Sequence, residues 1–181
     1  MSEVLPNKAL LLWLHRVSKA PNLGHALRIA DAAGCGLILS ATSLSPQQRE
    51  VAMTAQGTQD KVEVASFATF EEALAALRAA GYRILGTSPR GAHYYAERSL
   101  LGNVALLFGH ESQGLSEAEL ACCDDVLTIP IYGAVESLNL ASAIAVLTYE
   151  GIRQRIAQGM LPFHATEKFN RNARPNPLSA Q

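Results

Sequence analysis

Short apolar runs of five to seven residues recur along this chain, and all but one are followed by a stretch that reads as helix. The runs are ALLLWL (9–14), GLILS (36–40), VEVAS (62–66), YRILGTS (82–88), VALLFG (104–109) and DVLTIPI (125–131). Between them lie helical patterns at 22–33, 46–55, 70–80 and 116–122, then a long one at 138–158. The 70–80 pattern is the clearest, with Phe70, Ala73, Leu74 and Leu77 at helical spacing and Glu71, Glu72 and Arg78 on the other side. Strands that alternate with helices require an α/β fold, a mostly parallel sheet with helices on both faces. In such sheets ligands bind beyond the C-terminal ends of the strands. The stretches that directly follow a strand are therefore the ones to read for chemistry.

Size and charge narrow the setting. A chain of 181 residues, 49% hydrophobic, suits one compact domain that buries roughly 70% of its unfolded surface. That domain is expected over 1–160, with a short polar extension at 161–181. The net charge of −1 means that any attraction for nucleic acid must come from local patches. Cys35, Cys122 and Cys123 are odd in number and have no metal-ligand spacing, which points to a reducing, cytoplasmic setting without a metal. No secretory leader is expected, because Glu3 and Pro6 precede the brief run ALLLWL. No membrane span is expected either, since the long helix carries Glu150, Arg153 and Arg155.

Three post-strand stretches carry unusual polar residues. In VSKAPNLGHALRIADAAGC (17–35), Asn22 is a good helix cap, Gly34 falls just past the helix end, and Arg28 and Asp31 are spaced as a surface pair. In LLFGHESQGLSEAEL (106–120), a glycine loop joins strand to helix, and Ser116 with Glu119 forms a capping box. A phosphate loop would need Lys where Leu115 stands, and a nucleophile elbow would need Gly where His110 stands, so both fail. In IPIYGAVESLNL (129–140), Ser137 or Asn139 can cap the long helix, but three polar residues cluster where one suffices. The same cluster could bind a polar ligand.

Taken together and in order, the three stretches resemble the SPOUT superfamily, specifically the TrmH-like (SpoU) RNA ribose 2′-O-methyltransferases. Asn22, Leu23, Gly24, Arg28, Ala30, Asp31, Ala32 and Gly34 match the first motif; Gly109, Glu111 and Gly114 match the second. Ile129, Pro130, Gly133, Ser137, Leu138, Asn139 and the run Arg153–Arg155 match the third. The likeness runs from about Val17 to Gly159. Two positions depart from the pattern: the proline sits directly before Asn22, and Ile29 stands where Thr is common.

The resemblance implies a deep trefoil knot in the C-terminal part of the sheet and a homodimer formed through the knot region. It implies S-adenosylmethionine as cofactor, held largely by backbone near Thr87, Gly109, Ile129, Gly133 and Leu138. The reaction implied is attack of a ribose 2′-hydroxyl of RNA on the methyl group. Arg28, Asn22, Glu111, Ser137 and Asn139 are the expected catalytic set, with Arg28 essential. Glu111 is expected to orient Arg28 or the site loops. A guanidinium is a poor base, so Arg28 is read as orienting the hydroxyl and stabilising its developing charge. Arg16 and Lys19, with Lys168, Arg171 and Arg174 in the tail, are the expected RNA contacts. His110 and Tyr132 could face the substrate. The compact length favours transfer RNA as substrate; ribosomal RNA, or a non-catalytic cofactor- or RNA-binding subunit, are the alternatives.

Overall fold

Leu10, Leu12 and Leu14 pack into one apolar cluster while Leu11 and Trp13 pack into another, so the first strand has no solvent side. A strand buried on both faces belongs in the middle of a parallel sheet, and the computed structural model, which describes residues 4–161, places it there. The strands are β1 (Leu10–His15), β2 (Gly36–Ser40), β3 (Val64–Phe67), β4 (Arg83–Thr87), β5 (His93–Tyr94), β6 (Val104–Phe108) and β7 (Asp125–Thr128). They form one sheet in the order β3-β2-β1-β6-β4-β7-β5, and every pairing is parallel. The helices are α1 (Ala20–Ala33), α2 (Arg49–Ala55), α3 (Phe70–Ala79), α4 (Glu117–Ala121) and α5 (Leu140–Ala157). Residues of α1, α2 and α5 cover one face, and α3 with Leu115, Cys122 and Cys123 covers the other.

The helix over 70–80 and all six expected strands are present, and β5 is an addition. It has two residues, too few to give a period. Helix α1 starts at Ala20 rather than at 22, with Pro21 in its first turn, where a missing N–H costs nothing. Asn22 is therefore not a cap. It lies inside the first turn, buried, and its carboxamide is available for other partners. At the other end Gly34 closes the helix in the left-handed conformation, as its position suggests.

The edge of the sheet is built out of sequence order. β7 inserts between β4 and β5, which are neighbours in sequence. The turn joining those two strands lies directly over the end of β7. The Ser88 amide donates to the Leu127 carbonyl at 3.0 Å, and Thr128 Oγ1 donates to the Pro89 carbonyl at 3.1 Å. A Cβ on Gly91 would stand 2.7 Å from the Leu127 carbonyl, so only glycine fits there. The chain then crosses back as α5, which segment 98–102 straps down. Gln154 accepts from the Leu100 amide at 2.7 Å and donates to the Arg98 carbonyl at 2.9 Å. Arg155, in the last turn of α5, is buried and donates to the carbonyls of Gly151, Gly102 and Ala9.

Among the described residues no helix is long and apolar enough to cross a membrane. Lys168, Arg171 and Arg174, with the extension beyond Leu161, lie outside the described residues.

Candidate active site

β1, β6 and β7 all end at the same end of the sheet, and the loop after each supplies one part of the site. The loop after β6 begins at Gly109, where the chain folds back so tightly that a Cβ would lie 2.3 Å from the Gly114 carbonyl carbon. His110 and Gly114 close the turn by exchanging backbone hydrogen bonds at 3.2 and 2.8 Å. That hairpin presents the Glu111 carboxylate to the loop after β1. It accepts from the amides of Ser18 and Lys19, the nearest at 2.9 Å, from Ser18 Oγ at 2.9 Å, and from Asn22 Nδ2 at 3.0 Å. Desolvation alone would raise the Glu111 carboxyl, but the donors from Asn22, its own amide, Lys19 and Ser18 outweigh it and hold the pKa down at about 2. Glu111 is thus a permanent carboxylate facing inward. It orders the loop, and it does not touch Arg28.

Asn22 passes the contact on. Its Oδ1 accepts from Asn139 Nδ2 at 3.4 Å, and Asn139 Oδ1 accepts from the Ala141 amide at 2.8 Å, capping α5. Of the two cap candidates the structure selects Asn139, which leaves Ser137 uncommitted. One chain of hydrogen bonds thereby links all three sequence stretches, from Glu111 through Asn22 to Asn139.

Arg28 sits two turns along α1 and is exposed; among the described residues it makes no hydrogen bond or ion pair, not even with Asp31. It lines an open groove of about 590 Å³ between α1 and α5, together with Asn139, Ser142, Tyr149 and His25. Sequence reasoning missed the last three. His25 precedes Arg28 by one helical turn, the only signal that they share a face.

The loop after β7 behaves differently. Residues 132–139 are all exposed, Tyr132 at 95% and Leu138 at 39%, and among the described residues no amide from 131 to 138 donates to a protein acceptor. A Cβ on Gly133 would meet nothing within 4 Å, so the chain's own packing does not require glycine there. Open donors, a glycine with space around it, and the apolar Ile129 and Leu138 suit a ligand recognised through backbone. Thr87, at the end of β4, spends its hydroxyl on the Leu107 carbonyl at 2.9 Å.

The expected basic contacts divide. Lys19 is exposed. Arg16 donates to Glu119 at 2.9 Å and to the Gly114 carbonyl at 3.2 Å, so part of its charge is spent inside the protein.

The chain is similar in sequence and fold to known proteins. The SpoU rRNA Methylase family matches residues 9–149. A 23S rRNA (guanosine-2′-O-)-methyltransferase RlmB of Vibrio vulnificus is 34% identical over 149 residues, which cover 82% of this chain and 60% of that protein. The chain therefore spans about three fifths of the length of that curated relative. The SpoU methyltransferase AviRb from Streptomyces viridochromogenes, solved with the cofactor AdoMet, superposes with a TM-score of 0.75 at 29% identity, over 81% of this chain and 60% of that one. A structure described as giving insights into the 2-OH methylation of C/U34 on tRNA superposes with a TM-score of 0.77 at 33% identity, over 82% of this chain and 97% of that one.

Proposed function

The chain belongs to the SpoU rRNA methylase family, and from that premise we propose that it methylates the 2′-hydroxyl of a ribose in RNA, with S-adenosylmethionine as cofactor. The observation that carries the reading is the hydrogen-bond chain Glu111–Asn22–Asn139, which holds three distant loops together beside Arg28. When bound, the cofactor supplies an electrophilic methyl group on a sulfonium. The amides of 131–138, with Gly133, Ile129 and Leu138, are the groups suited to hold it. Arg28 orients the ribose hydroxyl and its phosphate and stabilises the negative charge that develops on oxygen. A guanidinium is a poor base, and the Glu111 carboxylate is turned towards Ser18 and Lys19. Neither is placed to take the hydroxyl proton, which a phosphate oxygen of the RNA would accept. Asn139 and Ser137 stand where helix α5 begins and align what the loop holds.

Two further elements belong to this proposal. The path of β7 beneath the 88–91 turn, with α5 strapped by segment 98–102, supports a knotted chain. A homodimer would cover the open groove and the apolar groups beside it, Tyr149 and Leu138. Three free thiols suit a reducing cytoplasm, with Cys35 and Cys123 pushed up to about 12 chiefly by burial.

On the substrate, the expectation of transfer RNA gives way: the curated relatives are named for 23S rRNA, so a ribosomal RNA ribose stands first. Transfer RNA remains the second reading, favoured by the matching size of the chain whose structure concerns C/U34 of tRNA. Transfer of labelled methyl from S-adenosylmethionine to separated ribosomal and transfer RNA, with mapping of 2′-O-methyl nucleotides, tests both. Label in ribosomal RNA supports the first reading, and label confined to transfer RNA replaces it with the second. Cofactor binding without transfer to either would sink the enzymatic reading.

A further inference from the structure

A second polar cluster lies on the opposite face of the sheet from the Arg28 groove, and the proposed chemistry uses none of it. At the end of β1, His15 is buried against Phe70 of α3. The Glu119 carboxylate can only accept, so His15 Nε2 carries the N–H that Glu119 Oε1 takes at 3.0 Å. In the neutral ring Nδ1 then accepts from Ser40 Oγ at 2.8 Å, and Ser40 Oγ itself accepts from Trp13 Nε1 at 2.7 Å. Burial, which outweighs the neighbouring Glu119 carboxylate, keeps His15 below the usual imidazole range, in agreement with a neutral ring. The other oxygen of Glu119 accepts from the Ser116 amide at 2.7 Å and from Arg16 at 2.9 Å. Arg16 also holds the Gly114 carbonyl, and it does so from the left-handed region, at φ 58°.

Two features set this cluster apart from ordinary scaffolding. A long side chain in the left-handed region is strained, and such strain persists only where the surroundings enforce it. Polar and charged groups taken out of water stabilise a fold less than apolar groups of the same volume. What they do supply is fixed direction. Here they pin Gly114 and Ser116, the far end of the hairpin whose near end carries Glu111. The hairpin is thus tied to the loop after β1 at both ends, by Glu111 on Ser18 and Lys19 and by Arg16 on Gly114.

We propose that His15, Arg16 and Glu119 act as positioning residues, a second clasp that sets the Glu111 hairpin against the Asn22 loop and so sets the rate of the reaction. The proposal rests on the methyltransfer reading for its kinetic test and is independent of it for its structural one. Arg16→Gly is the informative variant, because it removes the clasp and relieves the positive φ together. Its thermal midpoint should stay near that of the parent. Its kcat should fall by about tenfold or more, a misplacement effect, with KM for S-adenosylmethionine within about twofold, since Arg16 is not in the cofactor loop. Arg16→Lys, which keeps the charge on Glu119, should recover part of the rate, and Glu119→Gln should resemble Arg16→Gly.

Amide hydrogen exchange gives a readout that needs no activity. The Ser18 and Lys19 amides, held by Glu111, should exchange faster in Arg16→Gly. Unchanged exchange there overturns the clasp whether or not the parent protein methylates RNA. Parental kcat in a folded Arg16→Gly protein overturns it too, as does a rate loss that merely follows the unfolded fraction. Faster exchange in a protein that transfers no methyl would uphold the clasp and sink the enzymatic reading alone.

Discussion

The loop after β6 and the loop after β7 leave the same end of one sheet, yet they treat their polar groups in opposite ways. Between Gly109 and Ser116 the backbone closes on itself, Glu111 is saturated by donors, and Glu119 serves three partners. Between 131 and 138 no amide has found a protein acceptor among the described residues. Backbone groups that stay unpaired must be satisfied by water or by a ligand. The first loop is closed on itself and the second is left open, so substitutions of the groups that close the first, Gly109 and Glu111, should register as lost stability, and those in the proposed cofactor loop as lost binding or rate.

The widest departure from that division should come from Arg28, an exposed side chain with no internal partner. Arg28→Ala should slow methyl transfer by on the order of 10²–10³ while unfolding free energy stays within about 0.5 kcal/mol, as steady-state kinetics and a urea melt will show. Equal losses in both would place Arg28 with the groups that close the first loop. Next is Glu111→Ala, which orphans several donors at once. It should lower the unfolding free energy by about 2 kcal/mol, read from the urea midpoint at an unchanged slope.

The two glycines sharpen the contrast directly. A methyl group on Gly109 meets the Gly114 backbone, so Gly109→Ala should destabilise by about 1–3 kcal/mol. A methyl on Gly133 meets nothing, so Gly133→Ala should melt like the parent and bind S-adenosylmethionine about tenfold more weakly by calorimetry. Asn139→Ala removes a helix cap and should cost about 1 kcal/mol.

A further effect is one of pH. The folded pKa of Glu111, about 2, lies below its ordinary 4.5, so between those values the unfolded chain binds a proton that the folded chain refuses. Stability from this group is therefore complete above pH 4.5 and lost as pH falls towards 2. Acid titrations of the parent and of Glu111→Gln should converge over that interval.

Much of this was legible in the residues, and what was not has a common cause. Periodicity found α3, and the Ser116–Glu119 capping box was readable because its partners are three residues apart. The same Glu119 binds His15 and Arg16 across about a hundred positions, which no local pattern encodes. Arg155 is hidden for the same reason: its acceptors, Ala9 and Gly102, are remote in sequence, so nothing local marks it as a buried cation. Asn22 misled through Pro21, which can open a helix as readily as it can end a strand. The three site loops could be named from motif order, but which of their polar atoms are spent and which are open is a property of the folded chain alone.

The insertion of β7 between β4 and β5 also sets a timetable. A chain made from its N-terminus produces β4 and β5 before the strand that belongs between them exists. They cannot pair with each other in the final sheet, so one side of β4 waits bare, and a bare strand edge invites pairing with other molecules. Residues 125–128 end that exposure when they arrive, and α5 follows them into the strap of segment 98–102. The last-made strand of the sheet is therefore its closure, and until it emerges a newborn copy of this protein keeps an edge of β4 open to pairing with other molecules.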